Sequence, residues 1–347
     1  MFQLHGIQAL RAIAAFMVAV HHVQYDATAL AQRAGTTFSP STVLPWMAGV
    51  DIFFVVSGFI MVHASAGLSG KPGGARLFME RRLARIVPLY WAATTLFLLI
   101  GLILPGALNS SVPNGGQVAA SYLFWPSVST VGLVQPVYSL GWTLNYEMLF
   151  YALFAAGLAL PAGWSLPAIG AALAILVGAE ALAGPLPLPF GFWGQPIVLE
   201  FAIGMGLALL WRGGLRLRQP LRLAVATGGA ALLVAGQYAP WSGVWSSFAL
   251  HGSAAALLVL AAASGEARFE PSLLMRVLGS VGDASYALYL VHPFVIRGLR
   301  EVFVHSGFGS PVVFIALALA GSVMAALAVH HGFERPATRW IRQKLDA

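Results

Sequence analysis

Apolar residues run along this chain in long unbroken blocks, set apart by short stretches rich in Gly, Pro, Ser and Arg. The blocks are about 20 residues long, the length a helix needs to cross a hydrocarbon layer of about 30 Å. Strands of a membrane barrel would instead be about half as long, with strict alternation of polar and apolar positions. Read against the turn signals, the blocks predict about ten helices. They cover roughly 5–25, 45–66, 86–105, 138–160, 164–183, 192–211, 221–238, 243–263, 279–298 and 311–333. The intervals 161–163 and 239–242 are short, so their flanking helices are expected to be antiparallel neighbours. The expected fold is an all-α, polytopic integral membrane protein. Residues 1–347 form one transmembrane domain in this reading, with no appended soluble domain.

Composition agrees with that pattern. The chain is 59% hydrophobic and 9% charged, against about 25% charged residues in an ordinary soluble domain. A formal charge of +7 would suggest nucleic acid if it formed a surface patch. Here the cations lie between apolar blocks. Lys71, Arg76, Arg81, Arg82 and Arg85 precede the third, and Arg212, Arg216, Arg218 and Arg222 join the sixth to the seventh. Arg268 and Arg276 precede the ninth, while Arg335, Arg339, Arg342 and Lys344 close the chain. Counting ten helices puts all of these on one side and leaves Arg33, Arg297 and Arg300 for the other. Lys and Arg accumulate on the cytoplasmic side, so both termini are expected there, and no nucleic-acid partner is expected. The absence of cysteine removes disulfides, thiolate metal sites and a cysteine nucleophile, and the reading contains no metal site. The start of the chain lacks the basic region of a cleavable signal.

On the outer side, 106–137 is long, uncharged and rich in Ser, Asn, Gln, Pro and aromatic residues. Such a segment suits a lid or re-entrant loop over carbohydrate. It suits equally well an interfacial loop anchored by Tyr122 and Trp125.

Ionisable residues inside apolar helices are costly and point to function by default. The stretch "RAIAAFMVAVHH" carries Arg11 and His22 eleven residues apart. That separation is about 1100° of helical rotation, about 20° from whole turns, so the two share a face about 16 Å apart along the axis. His21 points elsewhere. Asp51 in "GVDIFFVVSGF", Glu147 in "GWTLNYEMLFY" and His292 in "YALYLVHPF" fall at a depth similar to that of His22. Four such groups from four helices suggest a polar cavity opening outward. Structural roles also suit them: an interhelical hydrogen bond for Asp51, a structural partner for Glu147, a bond to a carbonyl freed by Pro293 for His292. Arg82 and Arg85 in "RRLARIVPLYW" serve either as membrane-face anchors or as a clamp for an anionic ligand, since guanidinium grips phosphate through two donors at once. These residues alone leave an enzyme and a transporter or flippase of lipid-linked sugar, with a proton relay, both open. A glycan polymerase or glycosyltransferase is a further competitor.

In these motifs the chain resembles the integral membrane acyltransferase 3 family. Its first-span signature, a basic residue, ten residues and a histidine, falls on Arg11 and His22. "GVDIFFVVSGFIM", "RRLARIVPLYW", "GWTLNYEMLFY", "GDASYALYLVHPF" and "FERP" follow in the family's order along the whole chain. Asn145 in "WTLNYE" is similar to the branch that acetylates exopolysaccharides. The resemblance implies an O-acyltransferase of the bacterial inner membrane, multi-pass and surrounded by lipid. It would move an acyl group, acetyl by expectation, from cytoplasmic acyl-CoA to a polysaccharide or lipid-linked oligosaccharide. Acetyl-CoA enters as donor substrate, with no bound cofactor. The implied roles are catalysis for His22, Glu147 and Asp51, and donor binding for Arg11, Arg82 and Arg85. Acceptor or supporting roles fall to Trp142, Asn145, Tyr151, His292 and Ser57.

Overall fold

The computed structural model describes residues 5–104, 112–239, 243–265 and 272–345. Arg268, the first part of the 106–137 interval and most of the 239–242 connection lie outside the described residues. The rest is helical, with no strand among the described residues beyond one isolated bridge between Val128 and Val134. The helices are α1 (His5–Arg33), α2 (Gly49–Ala64), α3 (Gly74–Ile103), α4 (Gly115–Tyr122), α5 (Trp142–Leu158), α6 (Ala162–Ala183), α7 (Phe190–Trp193) and α8 (Leu199–Arg212). They continue as α9 (Gln219–Gln237), α10 (Val244–Ser247), α11 (Ser253–Ala263), α12 (Leu273–Asp283), α13 (Ser285–Ser306), α14 (Pro311–Val329) and α15 (Arg335–Leu345).

Helix occupies most of each of the ten expected segments. Six stretches among the described residues are long and apolar enough to cross a membrane: His5–Arg33, Trp46–Ala64, Gly74–Ile103, Gly163–Ala183, Val244–Ala263 and Pro311–Leu345. The others are shorter or more polar. Helix α5 has 17 residues and α8 has 14, while α13 carries Arg297, Arg300 and Glu301.

Three boundaries differ from expectation. Helix α3 starts at Gly74, so Arg82 and Arg85 lie within it; nothing between Gly74 and Pro88 breaks a helix. Helix α13 runs on to Ser306, so Arg297 and Arg300 belong to the helix and not to an outer loop. The ninth expected segment is split at Ala284 into α12 and α13. There Gly282 lies against the backbone of Gln8, where a Cβ would strike the carbonyl.

The chain divides into two compact units, Met1–Ser57 with Gly206–Gly332, and Gly58–Met205 with Phe333–Ala347. In the first, α1 is packed by α11, α12, α13 and α14. Seven of its buried positions are alanine, Ala12, Ala14, Ala15 and Ala19 among them. Lipid tails are as apolar as the side chains they would replace. Close backbone approach and interhelical hydrogen bonds therefore hold such helices together. Farther along α1, Val23, Ala27 and Leu30 meet Ile296, Phe303, Phe314 and Ala318.

In the second unit, α3 is packed by α4, α5 and α15, and α5 by α6. Its core is aromatic. Phe150 stacks on Phe201 and Tyr146 on Phe192, each with ring centroids 4.3 Å apart, and Phe78 stacks on Phe154 at 4.9 Å. The segment that follows Val112 is fastened to α3: Trp91 Nε1 donates to the Tyr122 carbonyl at 3.0 Å, and the Tyr122 and Thr95 hydroxyls are 2.6 Å apart. Trp125 meets the edge of Trp193 at 5.2 Å. Tyr122 and Trp125 thus tie the segment to the protein. Leu96, Leu99 and Leu102 on α3, Ile175 and Leu182 on α6, and Val312, Leu317 and Met324 on α14 are exposed, apolar surface suited to lipid.

Candidate active site

The first unit brings His22 and His292 together. Helix α1 turns His22 inward, half-buried, and leaves His21 exposed, as the helical register requires. The His22 and His292 rings have centroids 5.1 Å apart with planes inclined at 65°. Each ring is held the same way by its own helix. His22 Nδ1 is 2.9 Å from the Val18 carbonyl, and His292 Nδ1 is 2.9 Å from the Leu288 carbonyl. A carbonyl only accepts, so each Nδ1 carries a proton, and in its neutral form each ring keeps its lone pair on Nε2. His292 is fully buried, and its Nε2 has no hydrogen-bond partner among the described residues. A buried acceptor in that condition is a place for a donor hydroxyl or a mobile proton. The hydrogen bond to Leu288 engages a carbonyl next to the one that Pro293 leaves without its helical donor.

Three turns below His22, Arg11 is buried and donates to Gln8 Oε1 and Ser285 Oγ, both at 2.8 Å. Gln8 in turn donates to Asp283 Oδ1 at 2.7 Å. The "GDASY" stretch thereby fixes the Arg11 guanidinium from the α12–α13 break. Asp51 and Ser57, on the part of α2 in this unit, are both buried.

One turn above His22, the structure shows a pair that sequence reasoning missed. Arg300 Nη1 donates to Asp26 Oδ1 at 2.7 Å, both side chains are more than nine-tenths buried, and Arg300 Nη2 reaches Glu301 at 3.0 Å. The readable signal was spacing. Asp26 is four residues after His22, and Arg300 is eight after His292, so both pairs lie on facing stripes of α1 and α13.

The second unit gathers the remaining residues. Arg82 is buried on α3, its guanidinium 5.7 Å from the Phe78 ring centroid. Its electrostatic neighbours are Tyr151, Arg85, Arg342 and Glu147. Glu147 and Tyr151 are one turn apart on α5, which explains why both reach the same arginine. Asn145 is buried, with Oδ1 lacking a hydrogen-bond partner among the described residues. Trp142 is half-buried and meets Tyr146 edge-on at 6.0 Å. Among the described residues, no group of three or more His, Cys, Asp or Glu is arranged to hold a metal ion.

Residues 4–331 match the family model described as "Acyltransferase domain". The "Exopolysaccharide production protein ExoZ" of Rhizobium meliloti (strain 1021) is 37% identical over 305 residues, covering 84% of this chain and 89% of the relative. The "Acyltransferase MdmB" of Streptomyces mycarofaciens is 28% identical, covering 99% of this chain and 93% of the relative. No solved structure matches significantly. Between the enzyme and the carrier that the residues alone left open, these matches select the enzyme. With its helical membrane-type fold and a family match along nearly its whole length, the chain belongs to the acyltransferase family whose model spans residues 4–331 and is an O-acyltransferase.

Proposed function

We propose that the protein moves an acetyl group from cytoplasmic acetyl-CoA to a hydroxyl of a bacterial cell-surface or lipid-linked polysaccharide. In this reading it crosses the inner membrane ten times, with both termini cytoplasmic. The observation that carries the chemistry is the histidine pair, two imidazoles whose Nδ1 atoms are tied down, which leaves Nε2 for reaction. The resemblance of the chain to a protein named for exopolysaccharide production supports the acceptor class.

His22 Nε2 removes the proton of the sugar hydroxyl as its oxygen attacks the thioester carbonyl. The C–O bond forms, the C–S bond breaks, and the proton held by His22 passes to the departing sulfur, giving the ester and free CoA. Imidazole suits both transfers because its ordinary pKa lies close to physiological pH. His292 Nε2, also an acceptor, takes a hydrogen bond from a neighbouring hydroxyl of the sugar and so orients it. Asp51, buried in the same unit, offsets the transient imidazolium charge, with Ser57 as a supporting neighbour on α2. Arg11, held by Gln8 and Ser285, offers positive charge toward the inner face for the anionic donor.

Arg82 and Arg85 bind the donor's phosphates, and Glu147 and Tyr151 hold the Arg82 guanidinium. Trp142 and Asn145 offer an aromatic face and an amide to the sugar. Mass spectrometry of surface polysaccharide from cells with and without the protein tests the reading. Acetyl esters should disappear on deletion and return with the wild-type chain. They should not return with His22→Ala at equal protein amount, and unchanged acetylation after deletion overturns the proposal.

A further inference from the structure

Helix α15 packs against α3 within the second unit. The Thr338 hydroxyl donates to the Ala84 carbonyl at 3.3 Å, next to Arg85 and two residues from Arg82. Thr338 and Arg342 are four residues apart, so they share the face of α15 that meets α3. Exposure follows that face. Arg335, Arg339 and Lys344 are exposed, whereas Arg342 is half-buried with its Nε shielded from solvent. Arg342 and Arg85 are both electrostatic neighbours of Arg82, with Glu147 as the carboxylate beside them.

Cations that serve only to anchor a membrane face extend to water or lipid headgroups. Arg342 instead turns inward on the α3-facing side of α15, beside the Arg82 guanidinium. A ligand with several phosphates would meet cations from two helices there. The planar guanidinium fork fits phosphate oxygens in pairs.

We infer that Arg342 is the third arm of the donor-phosphate site, so that the C-terminal helix closes with Arg82 and Arg85 on the nucleotide end of the acyl-CoA. This rests on the acyl-CoA reading above. It adds an element outside the 4–331 family match. Arg342 acts on the phosphates and takes no part in bond making at the thioester.

The test compares two donors in proteoliposomes of fixed lipid composition: acetyl-CoA, and S-acetylpantetheine, which keeps the thioester but lacks every phosphate. Arg342→Gln should raise the KM for acetyl-CoA about tenfold and leave kcat and all constants for S-acetylpantetheine within twofold, the expected loss for one charged hydrogen-bonding pair. Arg342→Lys should fall between wild type and Gln. The exposed Arg339→Gln should behave as wild type. An equal change with both donors, which is what a lipid-anchoring or structural role gives, overturns the inference. So does no change, or failure of both the Gln and Lys variants to accumulate. If the wild-type protein transfers nothing from acetyl-CoA, the donor reading itself falls. If it does transfer, but the ratio between donors ignores Arg342, this inference alone falls.

Discussion

His22 and His292 differ in burial and in what each loses by substitution. His22 is half-buried, and its Nε2 is the reactive lone pair in the proposed step. Removing a positioned general base costs roughly 10²–10⁴ in rate. His22→Ala should therefore lose activity in that range while protein abundance in the membrane stays normal, as read by radiolabelled acetyl transfer. His292 is fully enclosed, with one nitrogen on the Leu288 carbonyl. His292→Gln keeps a polar group in the space but changes its reach. It should raise the acceptor's KM more than the donor's. Equal effects on both substrates would argue for a packing role alone.

Between α1 and α13 the polar residues form successive layers, the histidine pair and then Asp26 with Arg300. Breaking a buried ion pair from one side strands the other charge, at about 3–5 kcal/mol, whereas replacing both partners with apolar residues is often neutral. Arg300→Met should thus lower the unfolding midpoint in detergent sharply, and Asp26→Leu combined with it should recover most of the loss. If the double variant is no better than the single, the pair does not act as a unit. The α1–α12 contact has a steric test of its own. A side chain at Gly282 meets the Gln8 backbone, so Gly282→Leu should displace the segment that gives Arg11 its Ser285 partner. Membrane accumulation should fall well below that of Gly279→Leu, a glycine with open space beside it.

For the whole molecule, the ten-crossing orientation is checked with cysteine labelling, which a chain without natural cysteine makes simple to interpret. Val131 is exposed, and in the proposed orientation Val131→Cys should react with a membrane-impermeant maleimide in intact cells. Arg339→Cys should react only after the membrane is opened. Labelling of both in intact cells would reverse the assignment of the C-terminus to the cytoplasm.

Apolar block length determined from sequence alone that the chain is helical and membrane-type, because a hydrocarbon layer demands internally satisfied backbone over a fixed thickness. Helical rotation likewise determined that His22, and not His21, faces inward, since 100° per residue is a property of the backbone. Loop arginines were less informative. Arg300 read as an outer-loop cation became a buried partner of Asp26, and Arg342 read as a tail charge became a neighbour of Arg82. Spacing places Asp26 and Arg300 on the stripes of His22 and His292, but each arginine's partner is hundreds of residues away, so the meeting itself lies beyond the reach of local periodicity. Which nitrogen of each imidazole stays available is a local matter, set by the carbonyl four residues back in the same helix; what tertiary packing decided is that the two rings meet. Local pattern sets the elements and the faces they present; which charges meet across those faces is settled only when the helices pack.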